Sequence, residues 1–478
     1  MKSRQNQILW LCVWVLYAVM AGVTCRAAWV QYQSLETGWS WDLAYYNQWF
    51  WALCFGDETI SVRPIASYAT EGPSVWKMNY LSPLRFMIVP LYKLRPDPTT
   101  LLYLDIIVFW LLIPASAKLV NDESGSLSAT VSALLLVPLT PLLRPLAIND
   151  FREMQMALPF AILAVNGWRE RHRGWAITGI LGLLCCRQEW AFVVATLAII
   201  PARKPESIDK TQIWRSAVVM TGLIWFCGGF MIYLRQTAGK MAPQHFMDQF
   251  GGGRPTLVET LKTTWDFLWI GLSAWAVLAL MAPRIALTAL PWVWTLASGK
   301  WAIRFVGTEQ WHHARYCVPF VALGLAAGLV GWSRLWNKLE IRFGHRLRTL
   351  CMSLLWLVMF IFLVAGQWNM TTLMKGIPSR VPDQDVIPLW AEIAKVKPDD
   401  GVIAAYELTA PLSSRRLLYS YVMDVNKPKG WPHQIPETIQ NLFLNKNLQP
   451  SEVWTGQGFE RVWSGTGYDV WRRVSKPL

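Results

Sequence analysis

The sequence predicts a mainly α-helical protein that crosses a membrane about eleven times and carries a small α/β domain outside the membrane. Only 16% of its 478 residues are charged, whereas soluble proteins carry about a quarter. The apolar residues form runs of about 17 to 23, long enough to cross about 30 Å of hydrocarbon. Basic residues cluster in the short gaps between these runs, as in loops that face a cytoplasm lined by anionic lipid. The net charge of +14 therefore indicates a membrane surface and not a nucleic acid.

The apolar runs predict the individual spans. They are 8–24, 99–117, 127–147, 155–168, 174–186, 188–201, 214–234, 262–282, 284–299, 313–332 and 349–367. The fourth, fifth, sixth and ninth runs are short, which indicates tilted, broken or re-entrant helices. Residues 1–24 also have the features of a signal peptide, but the long apolar core and the lack of a small-x-small cleavage site favour a retained anchor.

Four clusters of basic residues give the orientation. They are Lys2 and Arg4; Arg169, Arg171 and Arg173; Arg203, Lys204, Lys210 and Arg215; and Arg334, Lys338, Arg342, Arg346 and Arg348. Eleven crossings from a cytoplasmic N-terminus place all four clusters inside. We therefore expect a cell-membrane protein with a transmembrane domain over 1–370, a first outer loop over 25–98 and an extracytoplasmic C-terminus.

Residues 371–478 are predicted to form the extracytoplasmic α/β domain. An amphipathic stretch at 386–396 precedes three strand-like segments at 402–405, 417–421 and 470–474. In the first outer loop, Pro83 to Leu91 is apolar but too short to span, which predicts a helix lying in the membrane interface. Cys25 and Cys54 lie on the predicted outer side, where pairing is chemically allowed, and the eight cysteines show no metal-finger spacing.

Three polar groups meet on the outer side if this topology holds. The first is Asp42 with Gln48. The second and third are the segments Asp150 to Glu153, which includes Arg152, and Arg187 to Glu189, which interrupts an apolar stretch. Charges at membrane depth are costly to bury, so their convergence indicates a functional cavity.

Each group also has a structural interpretation. Asp42 could cap a helix that begins at Leu43. Asp150 and Glu153 could pair with Arg152, and Arg187 could pair with Glu189 across a turn. His313 and Arg315, at the outer start of the tenth span, could assist a carboxylate or a phosphate, or could be solvated loop residues.

Short motifs along the chain resemble a prokaryotic family of predicted polytopic membrane proteins of unknown function. They are Trp41-Asp42-Leu43 with Gln48 and Trp51, Leu81 to Leu84 leading to Pro90-Leu91-Tyr92, Asp150 to Glu153, Arg187 to Trp190, Arg315-Tyr316 with Val318 to Phe320, and Ala404-Ala405 through Ala410 to Arg415. The chain departs from the family pattern at Arg152, where a His is common, and at Arg187 to Glu189, where Lys-Glu-Asp is common. That family is in turn similar to GT-C glycosyltransferases.

The resemblance implies a membrane glycosyltransferase that moves a sugar from a polyprenyl-phosphate donor to an acceptor at the extracytoplasmic face, with inversion at the anomeric carbon. Asp42 would be the catalytic base, since an acid of the first outer loop holds that place in GT-C enzymes, with Glu189 as second catalytic candidate. Arg152, Arg187 and Arg315 would bind the donor phosphate. Gln48, Asp150, Glu153 and His313 would support the site.

The metal question stays open at this stage. If a divalent cation such as Mg²⁺ or Mn²⁺ takes part, Asp42, Asp150 and Glu153 are the candidate ligands. Two other functions also stay open: a transporter or flippase of a lipid-linked or anionic solute, which also uses membrane-embedded Arg and Glu, and a non-catalytic lipid-binding member of the fold. The expected partners are the lipid-linked sugar and membrane lipids, with no nucleic acid.

Overall fold

The structure is a computed structural model, and it describes most of the chain. The described residues are 2–36, 40–56, 59–64, 74–76, 81–148, 150–203, 208–236, 256–289, 292, 318–373, 383–420, 435–446, 452–465 and 467–474. The α-helices of four residues or more are Lys2–Gln33, Ser40–Phe55, Leu84–Leu94, Pro98–Trp110, Leu112–Ser124, Leu127–Leu136, Leu143–Ala147, Glu153–Met156, Leu158–Glu170, Arg173–Cys186, Trp190–Thr196, Ile208–Gln236, Leu257–Asp266, Ala274–Ala279, Pro283–Ala286, Val318–Leu373, Ile387–Ile393 and Glu452–Thr455.

Among the residues that the structure describes, five helical segments are long and apolar enough to cross a membrane, which makes this a multi-pass membrane protein. They are Arg4–Gln33, Pro98–Ser124, Ile208–Ile232, Val318–Arg342 and Arg346–Trp368. Shorter apolar helices lie at Leu127–Leu139, Arg173–Cys186 and Trp190–Ile199. The expected count of eleven spans is not confirmed, because several of the predicted runs form short or broken helices and most of the second half of the run at 284–299 lies outside the described residues.

The broken helices have identifiable local causes. Pro114 has no amide hydrogen to continue the helix, and Leu111 separates Pro98–Trp110 from Leu112–Ser124. The run at 127–147 ends as an α-helix at Leu136 and continues through a 3-10 turn. The run at 262–282 passes through a π-helical turn, Phe267–Leu272, and then through Ser273 at φ 51°, a conformation that costs free energy for a residue other than glycine.

The two last predicted spans, 313–332 and 349–367, correspond in the described residues to two candidate spans, Val318–Arg342 and Arg346–Trp368, which both lie within the helical stretch Val318–Leu373. Trp332 donates from Nε1 to Ala129 O, and Trp356 donates from Nε1 to Ser132 O. In a straight helix these tryptophans would lie about 36 Å apart, yet their acceptors are on one helical turn. Arg348, over the ring of Trp336 at 5.2 Å, requires the same sharp bend.

Helices Leu158–Glu170 and Arg173–Cys186 form a close antiparallel hairpin. A Cβ on Gly179 would lie 2.4 Å from Ala164 N, and one on Gly167 would lie 2.2 Å from Ala176 N. The backbones therefore touch at two places where only glycine fits. Between the helices, Arg171 adopts the left-handed conformation, with φ 57°, and the His172 side chain accepts from Trp175 N at 3.3 Å.

A six-stranded sheet joins the two ends of the chain. Its strands are β1 (Arg63–Pro64), β2 (Gly401–Ala404), β3 (Leu418–Ser420), β4 (Ile439–Asn445), β5 (Phe459–Ser464) and β6 (Tyr468–Arg473). The spatial order is β1-β3-β2-β4-β6-β5. β1 to β4 pair in parallel, and β6 pairs antiparallel with β4 and β5. β1 comes from the predicted first outer loop, so that loop is part of the C-terminal sheet.

Most of the local predictions in these regions are correct. The strands expected at 402–405, 417–421 and 470–474 correspond to β2, β3 and β6, and a helix, Leu84–Leu94, forms where the interfacial helix was expected; its location in the interface stays a prediction. β1, β4 and β5 were not predicted. Cys25 and Cys54, for which pairing was considered, are both free thiols.

Candidate functional site

Helix Ser40–Phe55 carries the central residues of the site. Asp42, Tyr46 and Trp49 follow one another at helical spacing and share one face. The helix begins at Ser40, so Asp42 lies in its first turn, and the interpretation of Asp42 as the cap of a helix starting at Leu43 is wrong. A carboxylate in the first turn is favoured by the partial positive charge of the helix N-terminus.

Asp42 forms an ion pair with Arg152. Nη2 of Arg152 donates to Oδ2 of Asp42. The Asp42 side chain is 27% exposed, and the Arg152 side chain is 10% exposed. The guanidinium also lies 5.4 Å from the centroid of the Tyr46 ring. The backbone amide of Arg152 donates to Oδ2 of Asp105 at 3.3 Å. The Asp42 carboxylate is therefore partly accessible to solvent.

Next to the Asp42–Arg152 pair lies a buried network centred on Glu153. Nε of Arg85 donates to Oε1 of Glu153, and Tyr46 donates from its hydroxyl to Oε2 at 3.1 Å. The exposed fractions of the Arg85 and Glu153 side chains are 3% and 0%. Burial alone lowers the pKa of the Arg85 guanidinium, but the Glu153 carboxylate more than reverses this, so the pKa is raised. The Arg85 guanidinium is thus held charged inside the protein.

Tyr46 stands at the meeting point of the three predicted groups. Burial raises the pKa of its phenol, and Glu153 raises it further, while the charges of Arg85, Arg152 and Arg187 act in the opposite direction. Its ring also packs edge-on against Phe151, with 5.3 Å between the centroids. The first outer helix, the 150–153 segment and Arg187 are therefore close neighbours.

Arg187 and Glu189 pair with each other, as the structural interpretation proposed. Nη2 of Arg187 donates to Oε1 of Glu189 at 2.5 Å, and Nε donates to Oε2 at 3.2 Å. Both side chains are buried. Gln188 between them accepts the backbone amide of Leu81 at 2.6 Å. This segment therefore fixes the beginning of the interfacial helix against the site.

Asp105, a buried carboxylate on the span Pro98–Ser124, anchors the 150–156 segment. Oδ2 of Asp105 accepts from Gln155 Nε2 at 3.2 Å as well as from the Arg152 amide. Gln155 also donates to Asp150 O at 3.1 Å. Asp150 is itself buried and contributes its backbone here, so it supports the loop from within.

The opposite face of helix Ser40–Phe55 binds the C-terminal segment. Nδ2 of Asn47 donates to Ser413 Oγ at 2.8 Å, and Nε2 of Gln48 donates to Arg415 O at 2.9 Å. Ser40 accepts from the amide of Ala410 at 3.0 Å. Gln48 was expected beside Asp42, but its side chain points to this interface. The Ala410 to Arg415 motif thus contacts the helix that carries Asp42.

Sequence reasoning missed three residues of the network: Tyr46, Arg85 and Asp105. A signal was present for Tyr46, which lies four residues after Asp42 and hence on the same helical face. Arg85, a lone cation in the apolar segment Pro83 to Leu91, was a second signal. His313 and Arg315 lie outside the described residues.

The predicted metal ligands do not form a metal site. In the described part of the chain, no three His, Cys, Asp or Glu side chains are grouped closely enough to hold a metal ion. Glu153 directs both oxygens to Arg85 and Tyr46, and Asp42 faces Arg152. Asp42 and Glu153 therefore each direct carboxylate oxygens to a protein cation in this structure.

The family description "Predicted membrane protein (DUF2079)" matches residues 31–458. This chain belongs to that family. No curated protein matches the chain.

Among solved structures, ArnT from Cupriavidus metallidurans bound to undecaprenyl phosphate is similar over 97% of this chain and 99% of its own, at 12% identity and a TM-score of 0.57. The apo form of the same ArnT covers the same shares at 12% identity and a TM-score of 0.54. The Archaeoglobus fulgidus oligosaccharyltransferase in complex with Zn and sulfate has a TM-score of only 0.43 at 12% identity, over 89% of this chain and 68% of its own. The likeness to ArnT shows a GT-C-like fold along nearly the whole chain.

Proposed function

We propose that this family member is a GT-C-type glycosyltransferase that moves a sugar from a polyprenyl-phosphate donor to an acceptor at the extracytoplasmic membrane face. The observation that carries the proposal is the Asp42–Arg152 pair, which is partly open to solvent above a fully buried network. The GT-C-like fold supports it, and so does the lipid phosphate bound to the ArnT neighbour.

Asp42 would act as the general base. Its carboxylate takes the proton of the acceptor hydroxyl, and the freed oxygen attacks the anomeric carbon. The bond from that carbon to the phosphate oxygen breaks, and the oxygen leaves with the electron pair as polyprenyl phosphate. A single displacement of this kind inverts the anomeric configuration.

Arg152 would be the principal phosphate ligand, because a guanidinium grips two phosphate oxygens at once. Its position between Asp42 and the Tyr46 ring places a cation next to the base. Arg187 already has its fork engaged by Glu189. We therefore propose that the charge of Arg187 acts on the donor phosphate without direct contact. Glu189 would hold the Arg187 side chain in its orientation. Glu153 binds Arg85 and Tyr46 and would thereby hold the buried residues next to Arg152 in place.

The test is turnover by the purified full chain in lipid, supplied with a panel of radiolabelled polyprenyl-phosphate sugars. Asp42→Asn is expected to lose about 10²- to 10⁴-fold in sugar release, as removal of a general base does. Glu36→Gln is the matched control, since it also neutralises one exposed acid near the same helix. Arg152→Lys should raise the donor KM more than it lowers kcat.

Equal turnover by wild-type and Asp42→Asn protein would contradict the assignment of Asp42. Binding of a donor without any turnover, in both proteins, would favour the transporter or the non-catalytic lipid-binding protein.

A further inference from the structure

A second charged cluster lies at the other end of the helix bundle, here called the far end. Asp105 and Glu123 are on the same span, Pro98–Ser124, and lie about 27 Å apart at 1.5 Å per residue. Asp105 contacts the backbone of Arg152 at the candidate site, whereas Glu123 forms a buried ion pair with Arg169. The far end is therefore separated from Asp42 by nearly the thickness of a membrane.

The far end contains a cavity of about 330 Å³ lined mainly by cations. Its charged lining residues are Glu123, Arg169, Arg203, Arg334 and Lys338. An adjoining cavity of about 240 Å³ shares Pro201 and Arg334 and adds Arg284. We call the two together the basic cavity.

Two of these cations are neutralised within the protein. Arg169 pairs with Glu123, and Arg203 pairs with Glu170 at 3.0 Å. Arg334 donates to the carbonyl of Met281 at 2.7 Å. Among the described residues, no carboxylate pairs with Arg284, Arg334 or Lys338. The basic cavity therefore keeps three positive charges, of which Arg334 lines both parts, Arg284 one part and Lys338 the other, and such an arrangement favours an anion.

An apolar groove of about 400 Å³ joins the basic cavity at Pro283, which lines both. Its other lining residues include Trp265, Trp269, Ala276, Val277, Leu280 and Phe320. Val277 and Leu280 on its rim are 63% and 74% exposed, as on a surface that faces lipid. Phe320 in the groove and Arg334 in the cavity lie on one helix, about 21 Å apart along its axis.

We propose that the basic cavity and the apolar groove together bind an anionic membrane lipid, with its phosphate diester among Arg284, Arg334 and Lys338 and an acyl chain along the groove. Basic pockets between membrane helices bind lipid head groups in this way. The cations of the basic cavity favour a phosphate. Because Pro283 lines both the basic cavity and the apolar groove, a ligand that also carries an apolar tail fits best. None of the lining residues belongs to the Asp42 network, so this site is independent of the proposed transferase activity.

The head-group half of the proposal is tested by titrating phosphatidylglycerol into the purified full chain and counting bound lipid by native mass spectrometry. Lys338→Gln is expected to weaken binding about fivefold, and Arg284→Gln with Lys338→Gln about 25-fold, at the usual contribution of one basic residue. Lys210→Gln removes an exposed cation outside the cavity and should leave binding unchanged. Equal binding by all variants would overturn the proposal.

The tail half distinguishes a lipid from free phosphate. Val277→Trp fills the groove from its exposed rim, and Val131→Trp, at a 39% exposed position outside the groove, is the control. Phosphatidylglycerol should bind more weakly to Val277→Trp only, and inorganic phosphate should not displace the lipid at equal concentration. Displacement by phosphate, or equal binding by the two tryptophan variants, would show that no lipid site exists. Phosphatidylcholine, which has no net charge, should not compete.

Discussion

Replacement of Glu153 by Gln should be the most damaging single change to the stability of the candidate site. The substitution keeps the shape and one acceptor oxygen for Tyr46 but removes the negative charge beside Arg85. Both members of the ion pair are almost fully buried, with exposed fractions of 3% and 0%. The Arg85 charge would then lie inside the protein without a counter-charge.

The magnitude follows from that geometry. Two charges about 4 Å apart interact by about 4 kcal/mol at an effective dielectric constant of 20. Breaking a buried pair by removing one partner costs about 3–5 kcal/mol. We therefore expect Glu153→Gln to lower the free energy of unfolding by about 3–5 kcal/mol. Asp42→Asn should cost about 1 kcal/mol or less, because the Asp42 side chain is 27% exposed and solvent screens its pair.

The measurement is the midpoint of a reversible SDS titration, followed by intrinsic fluorescence of the 30 tryptophans. The double variant Arg85→Met with Glu153→Gln removes both charges and should recover most of the loss, since uncharged replacement of a buried pair is often nearly neutral. A loss below about 1 kcal/mol for Glu153→Gln would refute the reasoning. So would a further drop in the double variant, because it would show that the buried charge of Arg85 is not the cause.

Two further predictions concern the hairpin and the sheet. Gly179→Ala should destabilise the protein by about 1–3 kcal/mol in the same titration, because the added Cβ meets the backbone of Ala164. Gly228→Ala is the control and should not destabilise it, because the space around Gly228 is open. Equal effects of the two substitutions would show that the hairpin can separate at no cost. Burial, with a smaller effect of Glu407, raises the pKa of Tyr468 to about 12 from 10.0, so the folded state keeps a proton that the unfolded state releases above pH 10, and stability falls as pH rises from 10 to 12. Tyr468→Phe should lose less stability than wild type over that window in melting temperatures recorded against pH, and a steeper loss would be inconsistent with this assignment.

The sequence predicts the membrane class and the location of the site because both depend on burial of charge. Long apolar runs admit few structures, and Asp42, Arg152 and Arg187 are too costly in lipid to lie anywhere but in a polar site. Side-chain partners follow less directly. Arg152 pairs with Asp42, whereas Glu153 pairs with Arg85. The second pair depends on where helix Leu84–Leu94 packs, and the local sequence does not encode that position.

The missed strands have physical causes as well. β1 is two residues long and exists only because β3 offers it a partner. In β4 the polar Asn441 is buried and lies within hydrogen-bonding distance of Asp400 Oδ2, at 3.4 Å, which disrupts the apolar alternation by which a strand is recognised. The bend between the spans Val318–Arg342 and Arg346–Trp368 likewise depends on contacts with Ala129 and Ser132, far away in the sequence.

The bonds between helix Ser40–Phe55 and the C-terminal segment also set an order of events during synthesis. Gln48 and its acceptor Arg415 are 367 residues apart in the chain. At about 5–20 residues per second, the ribosome needs roughly 20–70 s to supply the partner after the helix has been made. Through that interval the side-chain amides of Asn47 and Gln48 lack these acceptors, so they need water or another polar partner. A chain that stops before Glu407 never acquires these bonds, so an unfinished copy of the protein leaves the helix that carries Asp42 undocked.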